Sequence, residues 1–499
     1  MENNASKLYP ERFKLSPKVN ISRVLTGLWQ VADIERKSGP INKDKGADKL
    51  EDYFNAGFDT FDMADHYGTA EIIAGTLLKR YKELTRQPTI LTKWCPKPGE
   101  MTENIVRKGI KDRLSRLGTS SIDLLQFHWW TFQHPAWLDA LHYIAEMRSE
   151  GSIKEIGVTN FDAAHLNLAL SDGIPIRTNQ VSFSLLDRRA SGSLTKLCLK
   201  SSVKLLAYGT LCGGFLSEKW LRKPEPKEIN DWSKMKYKRF IDSSGGWEVF
   251  QIILESAHQI AGKHDVSIAN VATRWVLEQS GVAGVIIGAR LGENVHNNDN
   301  MRLFSFSLDN EDYANLECAF AKTKTISGDC GDEYRKAPFL TASGDLSDHL
   351  SQIPFSNKKE LIHNRSNAER VLSGSEWEDV AGYCRAHRIG NQIYVSGTTA
   401  TAGLNRVVAP NDAGAQATFI LDKILEALSS LGADTEDIVR TRIYLIDEKD
   451  VQAVSEAHGR LFKDIKPANT LVVVKRLIGG YRVEIEAEAL IKTSKKNNQ

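Results

Sequence analysis

The sequence predicts a closed α/β barrel of eight parallel strands, followed by a smaller α+β domain. Between residues 24 and 288, short apolar runs recur eight times with amphipathic stretches between them. The chain has 499 residues, which is too long for one ordinary domain. Beyond about residue 365, strands of alternating character accompany two long helical stretches, as expected of a sheet buried on one face.

The predicted barrel strands are rich in apolar and β-branched residues. They are VLTGLW (24–29), GFDTFD (57–62), TILTKW (89–94), SIDLLQF (121–127), IKEIGVT (153–159), IRTNQVS (176–182), VKLLAYG (203–209) and VAGVIIG (282–288). This alternation predicts a (β/α)8 TIM barrel, whose chemistry lies at the C-terminal ends of its strands. A doubly wound sheet is disfavoured, because no GxGxxG motif follows the first strand.

An amphipathic helix is predicted over 103–118, between the third and fourth strands. Its residues Ile105, Ile110, Leu114 and Leu117 share one face at helical spacing. The glycine that ends this stretch supplies a C-terminal stop.

Composition and charge favour a soluble globular protein without nucleic-acid or membrane partners. The 65 Lys and Arg residues nearly cancel the 63 Asp and Glu residues, and 41% of the residues are hydrophobic. No apolar stretch approaches the roughly 20 residues that span a bilayer, and the N-terminus lacks the apolar core of a signal peptide. We therefore expect a cytoplasmic location. The cysteines have no paired or metal-ligand spacing, which predicts reduced thiols and no metal site.

Four polar residues lie at or just past the ends of the second, third and fourth strands: Asp62, Tyr67, Lys93 and His128. Each alone has an ordinary structural explanation, such as packing or solvation. Together at one end of a barrel, they can protonate a carbonyl oxygen while a hydride adds to its carbon. A free tyrosine has a pKa near ~10, and a neighbouring ammonium favours its phenolate. We therefore assign Tyr67 as general acid, Lys93 and Asp62 as its tuning pair, and His128 as the group that polarises and orients the carbonyl.

Six segments extend this pattern along the chain in a fixed order. They are FDTFDMADHYGTAE (58–71), ILTKW (90–94), DLLQFHW (123–129), IGVTNF (156–161), NQVSFSLLDRR (179–189) and LLAYGTLCGGFLS (205–217). In this order they resemble the successive signatures of the aldo-keto reductase family, over residues 20–320. The resemblance implies a nicotinamide-dependent carbonyl reductase in which the four residues above are the catalytic tetrad.

The same resemblance implies a cofactor site. It assigns Tyr208 to stack on the nicotinamide ring, an aromatic platform that fixes which face delivers the hydride. The residues that it assigns to the nicotinamide carboxamide are Thr159, Asn160 and Gln180. The residues that it assigns to the pyrophosphate are Leu211, Gly213 and Gly214.

The last strand and the loop after it, VIIGARLGENVHNND (285–299), resemble the adenosine-phosphate loop of the family. The resemblance implies close backbone approach at Gly288, with Arg290, Asn294 and Asn298 reaching the 2′-phosphate and adenine. A guanidinium suits a phosphate monoester better than a ribose hydroxyl, which favours NADPH over NADH. The alternative for Arg290 is an exposed residue at a helix start.

Two polar segments have open interpretations. Residues 209–250 form a long insertion after the seventh strand, which is either a flap over the cofactor or a surface insertion. Residues 323–364 read as a linker or a cap on the barrel mouth. The predicted domains are accordingly a barrel over 1–322, this connector, and a C-terminal domain over 365–495.

The C-terminal domain has a compact α+β pattern. Its predicted strands are 387–397, 439–446, 469–477 and 481–491, and its predicted helices are 413–432 and 449–464. The segments QIYVSGTTA, LEALSSLGADTEDIVRTRIYL and VEIEAEAL resemble the Rid/YjgF family, whose fold is chorismate-mutase-like, over 380–492. The resemblance implies a homotrimer that hydrolyses imines and enamines in clefts between subunits. The matching positions are Tyr383, Ser396, Gly397 and Glu484.

One position departs from this pattern. The chain reads PANT where the deaminases of the family present an arginine, so Asn469 takes the place of a carboxylate clamp. A neutral amide cannot replace a bidentate charged fork. Arg442, in VRTRIYL, is a second candidate cation whose direction strand alternation leaves open. The domain therefore acts on an uncharged imine, binds a small ligand, or trimerises the reductase.

These observations predict an NADPH-dependent reductase of aldehydes or ketones, fused to a Rid-like domain. The fusion suggests the hypothesis of two coupled steps, in which the Rid-like domain hydrolyses an imine and the barrel reduces the released carbonyl. Two alternatives remain open: a redox-sensing module that binds NADP(H) with little turnover, and a trimeric scaffold that clusters barrels for a partner.

Overall fold

A computed structural model describes residues 9–31, 41–289, 296–335, 354–362 and 367–492 of the chain. Its N-terminal strands are β1 Arg12–Ser16, β2 Val19–Ser22, β3 Val24–Gly27, β4 Thr60–Ala64, β5 Thr89–Trp94, β6 Ile122–His128, β7 Ile153–Thr159, β8 Ile176–Ser182, β9 Lys204–Tyr208 and β10 Val282–Gly288. The eight strands from β3 to β10 are parallel and close into a barrel, in which β10 lies between β9 and β3. The predicted fold class is confirmed.

Helices follow the barrel strands and cover the outside of the barrel. They are α1 Lys43–Asn55, α2 Ala70–Tyr81, α3 Glu103–Leu117, α4 Ala136–Ser149, α5 Ala163–Ser171, α6 Ser193–Ser201, α7 Trp232–Ser243, α8 Trp247–His264, α9 Ile268–Leu277, α10 Asn297–Arg302 and α11 Asn310–Phe320. Within the described residues, no helix is both long enough and apolar enough to cross a bilayer.

Helix α3 ends as its sequence predicts, but its buried face is different. Gly118 adopts the left-handed conformation, with φ 62°, and closes the helix. The helix buries Val106 together with Ile110 and Leu117. Ile105 is 42% exposed, so its predicted place on the packed face is wrong.

An N-terminal hairpin closes the bottom of the barrel. Strands β1 and β2 pair antiparallel, and their residues Leu15, Val19 and Ile21 pack against the first inward-facing side chains of the barrel strands. Those side chains include Leu91 and Leu124. The opposite end, where the strands reach their C-termini, stays open for a ligand.

The C-terminal domain contains a seven-stranded sheet with helices on one side. Its elements are β11 Lys358–Leu361, β12 Ala368–Leu372, α12 Glu376–Ala381, β13 Ala386–Ile389, β14 Gln392–Thr399, β15 Thr401–Ala402, β16 Arg406–Val407, α13 Ala413–Ser430, β17 Ile438–Leu445, α14 Val451–Phe462, β18 Ala468–Val473 and β19 Val483–Leu490. The strand order is β11-β12-β13-β14-β19-β17-β18. The sheet therefore begins at Lys358, inside the predicted connector.

Helix α13 joins the two domains. It packs on β14 and β19 of its own sheet and on α5 of the barrel. Polar contacts across this interface include Nη1 of Arg406 with the Asp172 carboxylate at 2.6 Å, and the Asp412 carboxylate with Asn167 and Ser171. The contact is thus made by secondary-structure elements and loops of both domains.

Candidate active site

A cavity of about 600 Å³ opens at the C-terminal ends of the barrel strands. It brings together most of the side chains that the sequence predicts for the catalytic and cofactor sites. The predicted residues that line it are Asp62, Tyr67, Lys93, His128, Thr159, Asn160, Gln180, Tyr208, Leu211, Gly213, Gly214 and Gly288.

The Asp62–Lys93 pair lies on the floor of this cavity. Lys93 Nζ donates to Asp62 Oδ2 at 2.7 Å, and both side chains are almost fully buried. Asp62 Oδ1 accepts from the side-chain amides of Gln126 at 2.9 Å and Gln180 at 2.8 Å. Burial of a charge is tolerated when it is paired and hydrogen-bonded, and both conditions are met here.

Tyr67 stands above this pair in an aromatic setting. Its ring makes an edge contact with Trp29, at 5.0 Å between ring centroids, and another with His66 at 4.8 Å. Lys93 Nζ lies 5.3 Å from the centroid of the phenol ring. An ammonium at this range favours the phenolate over the phenol.

His128 is a buried, neutral imidazole. Burial, and then the nearby positive charge of Arg335, hold the pKa of His128 well below its usual value. Its Nε2 lies 3.5 Å from Asn160 Nδ2, and its Nδ1 lies 3.8 Å from Cys95 Sγ. A neutral imidazole offers one N–H donor and one acceptor, which is sufficient to bind a carbonyl oxygen.

The cavity residues that the sequence assigns to the nicotinamide offer polar groups and an aromatic ring, which suit a ligand with hydrogen-bonding groups and a planar ring. The hydroxyls of Thr159 and Thr210 are buried at the cavity and find no hydrogen-bond partner among the described residues, whereas buried polar groups usually have one. The Tyr208 hydroxyl donates to Asn160 Oδ1 at 2.9 Å, and burial raises the pKa of Tyr208 well above its usual value. The side-chain amide of Gln180 donates N–H groups to Asp62 and Gln126, which leaves its Oε1 for a ligand.

The glycines after β9 leave room for a phosphate. Gly214 has φ 88°, and a side chain there would meet no atom within 4 Å. Gly213 also has positive φ, at 65°. The insertion at 209–250 contributes α7 and the turn Glu218–Trp220 to the cavity wall, so it lines the site. The N–H groups of Cys212 and Gly214 donate to the carbonyls of Gly209 and Leu211 at 2.9 Å, which fixes the turn.

The residues predicted for the adenosine phosphate do not all lie at the cavity. Arg290 and Asn294 lie outside the described residues. Asn298 is exposed on α10 and does not line the cavity, whereas its neighbours Asp299 and Asn300 do. The helix turns Asn298 away because its neighbour Asn297 takes the buried position.

Three residues at the site have no counterpart in the sequence-based prediction. Gln126 lies behind the cavity, where it donates to Asp62, and it is two residues before His128, so strand alternation could have identified it. Lys236 and Tyr334 line the cavity wall. They come from α7 and from a turn after the barrel, and no local pattern connects those segments to the strands.

A small polar cluster lies beside the cavity. Ligand atoms of Asp65, His66 and Cys95 lie within 4.8 Å of one another, although the cysteine spacing predicts no metal site. The Asp65 carboxylate faces Arg113 and accepts from the Cys95 amide. Burial opposes ionisation of Asp65, but the hydrogen bond from His66 and the charge of Arg113 lower its pKa. The cluster is therefore accounted for by protein partners.

The predicted Rid-like site is only partly assembled within one chain. Glu484 approaches Gly397 so closely that a side chain at Gly397 would collide with its carboxylate. Burial, and then the neighbouring Glu486, raise the pKa of Glu484. Buried Arg385 donates to the carbonyl oxygens of Ser396 and Gly397, and its guanidinium lies 6.0 Å from the Tyr383 ring.

The two remaining residues of the predicted Rid site, Asn469 and Arg442, are held by other partners. Asn469 lies opposite buried Thr441 in the sheet, and its Oδ1 accepts a hydrogen bond from the Thr441 hydroxyl at 3.2 Å. The Asn469 side chain is therefore on the opposite face of the sheet from Glu484. Arg442 shares a face with Glu484, but its guanidinium pairs with Glu486 and Glu488. Its charge is thus already matched within the chain.

Comparisons with known proteins agree with this architecture. The model of the aldo/keto reductase family matches residues 23–319, and a model described as endoribonuclease L-PSP matches residues 374–491. The NADH-specific methylglyoxal reductase of Escherichia coli is 24% identical over 304 residues, which cover 56% of this chain and 89% of that protein. An uncharacterized protein of Streptomyces coelicolor is 37% identical over 121 residues, which cover 24% of this chain and 90% of that protein.

A solved structure supports the fold of the barrel. The glycerol dehydrogenase of Gluconobacter oxydans covers 65% of this chain and 98% of its own, with a TM-score of 0.53 and 23% identity. The aldo/keto reductase model spans more than half of the chain. The chain therefore belongs to the aldo/keto reductase family, and it carries a Rid/YjgF (L-PSP) domain after its barrel.

Proposed function

We propose that the barrel reduces an aldehyde or ketone, with Tyr67 as general acid. The observation that carries the proposal is the buried Asp62–Lys93 pair, which faces the Tyr67 ring and the neutral imidazole of His128 in one cavity. A bound nicotinamide supplies the hydride. The remaining chemistry belongs to the side chains of this chain.

In the proposed reaction, charge builds on the carbonyl oxygen as the hydride adds to its carbon. The Tyr67 hydroxyl gives its proton to that oxygen, and the Lys93 ammonium stabilises the phenolate that remains. His128 donates an N–H to the same oxygen and fixes its direction. Solvent then returns a proton to Tyr67 when the alcohol leaves.

For the cofactor, we propose that Thr159, Asn160 and Gln180 bind the carboxamide while Tyr208 stacks on the ring. Leu211 to Gly214 hold the pyrophosphate, and Gly288 lies beside the adenosine. We propose NADPH as the preferred cofactor on the chemistry of Arg290. NADH is the competing choice, because the Escherichia coli relative is NADH-specific and the acidic Asp299 lines this end.

The deciding experiment measures NADPH and NADH oxidation by the full-length protein with an activated aromatic aldehyde, beside Tyr67→Phe. We expect turnover in the wild type and a fall of roughly a hundredfold or more in kcat in the variant, because the phenylalanine keeps the ring but cannot donate a proton. Cofactor binding, measured by fluorescence, should stay within about twofold. Tight binding without turnover in either protein would instead favour the redox-sensing module.

For the C-terminal domain, we propose that it assembles three chains and hydrolyses an uncharged imine to a carbonyl compound and ammonia. Water adds to the imine carbon and ammonia leaves. Support comes from the carboxyl group of Glu484, whose raised pKa suits proton transfer, and from Arg442 on the same face, whose charge is already paired with Glu486. A carboxylate clamp is therefore not part of the proposal.

A further inference from the structure

Lys236 and Tyr334 form a polar pair in the wall of the cavity that the proposed tetrad does not use. Lys236 belongs to α7, is only 6% exposed, and lines the cavity. Its Nζ donates to the Tyr334 hydroxyl at 2.7 Å. The Tyr334 ring makes edge contacts with His128, at 5.6 Å between centroids, and with Trp130 at 5.8 Å. The pair therefore stands at the catalytic end of the cavity.

The residues on both sides of Tyr334 are fixed to the barrel. The carboxylate of Glu333 accepts from Arg189 Nη2 at 2.9 Å and lies 3.2 Å from the Tyr208 hydroxyl. Arg335 donates to the backbone carbonyls of Asn160 at 2.7 Å and Trp129 at 3.0 Å. A side chain held between two such anchors is preorganised for binding.

The ammonium of Lys236 keeps donors for a ligand. Among the residues that the structure describes, it makes no ion pair, whereas Lys93 pairs with Asp62 and Arg189 with Asp187 and Glu333. One of its three N–H groups goes to Tyr334, and an ammonium has three. The Tyr334 oxygen accepts that hydrogen, so its own O–H is available as well.

A structural role for this lysine is the competing explanation. Asp187 and Glu333 share the single Arg189, so the charge of Lys236 also offsets the second carboxylate. That role alone does not require the ammonium to reach the cavity surface. The Nζ nevertheless lies 4.8 Å from the Tyr208 ring centroid and 4.4 Å from the Tyr334 ring centroid, in the wall that a substrate would touch.

We propose that Lys236 and Tyr334 bind a carboxylate of the substrate, so that the barrel reduces carbonyl compounds that carry a carboxylate near the reacting carbon. An ammonium and a phenol side by side match the two oxygens of a carboxylate. The surrounding wall is aromatic, which strengthens such contacts by excluding water. This inference rests on the proposed reductase function and names its substrate class.

The test compares 3-carboxybenzaldehyde with its methyl ester as substrates of the full-length enzyme. In Lys236→Met, we expect kcat/KM for the acid to fall at least roughly tenfold more than for the ester, mainly through KM, because a charged hydrogen bond is lost. Lys236→Arg should restore most of the preference. Tyr334→Phe should lower it by roughly threefold to tenfold. Lys238→Met, on the same helix but outside the cavity, serves as the matched control.

Binding measurements separate this inference from the proposed function. Titration of 3-(hydroxymethyl)benzoate, the alcohol product, onto the protein–NADP⁺ complex should give binding that Lys236→Met weakens by roughly tenfold or more. This readout holds even if no aldehyde is turned over. Equal losses for acid and ester would show a structural lysine, and weaker NADP⁺ binding in the variant would show a phosphate ligand. Either result overturns the inference.

Discussion

The carboxylate of Asp62 accepts three hydrogen bonds inside the barrel, from Lys93, Gln126 and Gln180. This arrangement holds the lysine ammonium in one place below Tyr67. Strand ends identify the charged members, because a parallel barrel gathers its strand ends at one face. They do not identify Tyr334, which lies 126 residues beyond Tyr208 and reaches its hydroxyl only in the folded chain. The assigned roles in catalysis remain predictions.

Replacing Lys93 by methionine tests the pair. We expect kcat to fall by roughly a hundredfold to ten-thousandfold, because the phenolate loses its cation. The free energy of unfolding should fall by about 3–5 kcal/mol, since Asp62 would remain buried and unpaired. Urea unfolding and steady-state rates measure the two effects. The double variant Asp62→Asn/Lys93→Met should regain part of the stability but none of the turnover, and a recovery of turnover would contradict the role of Lys93.

Elements differ in how well the sequence predicts them. The barrel strands β5, β7 and β8 begin and end at the predicted residues. The predicted buried face of α3 is wrong by one position. Val106 and Ile105 are similarly apolar, so only packing in the fold decides which of them is buried. The hairpin of β1 and β2 is polar in part and gives no barrel-like signal.

The exposure of strand β18 predicts how the chains assemble. It is the edge strand of the C-terminal sheet and is largely exposed on both faces, with Val472 at 41%. Proteins usually cover such an edge. Light scattering should therefore give three times the 55.7 kDa of one chain, and Val472→Lys should shift the protein towards one chain. Val380→Lys, an exposed valine on α12, is the control that should stay trimeric.

A second pair of variants in this sheet tests the proposed imine chemistry. Glu484→Gln should slow ammonia release from an uncharged imine by roughly tenfold or more, while aldehyde reduction is unchanged. Glu488→Gln, on the same face but paired with Arg442, is the matched control. Equal ammonia release from both variants and the wild type would remove Glu484 from the proposal.

At the scale of the whole molecule, a buried imidazole connects the two domains. His165 of α5 contacts Asp162 at 2.6 Å through Nδ1 and Asp422 of α13 at 2.9 Å through Nε2. Phe132 stacks on its ring, and Arg460 of α14 faces Asp162 at 3.9 Å. Burial opposes the charged form, but the two carboxylates outweigh it and raise the pKa of His165 above 6.5.

This shift predicts a pH-dependent domain contact. A raised folded pKa gives stability that is complete below the unfolded value near 6.5 and is lost as pH rises through the folded value. Asp422→Asn should therefore lower Tm by roughly 3–6 °C at pH 6 and by less at pH 9. Asp464→Asn, an exposed position in the same domain, should change neither value. Differential scanning fluorimetry at both pH values measures this difference in Tm. Equal Tm shifts at both pH values would show that a protonated His165 does not stabilise the domain contact.

Helix α13 has a consequence for how freely these domains could be exchanged. Fifteen of its 18 residues are buried, because the sheet, α14 and the barrel enclose it. Cutting this chain between its domains would expose the apolar side chains of this helix, together with acidic groups that now pair across the interface, such as Asp412 and Asp422. We therefore expect each half, produced alone, to be less soluble than the full chain.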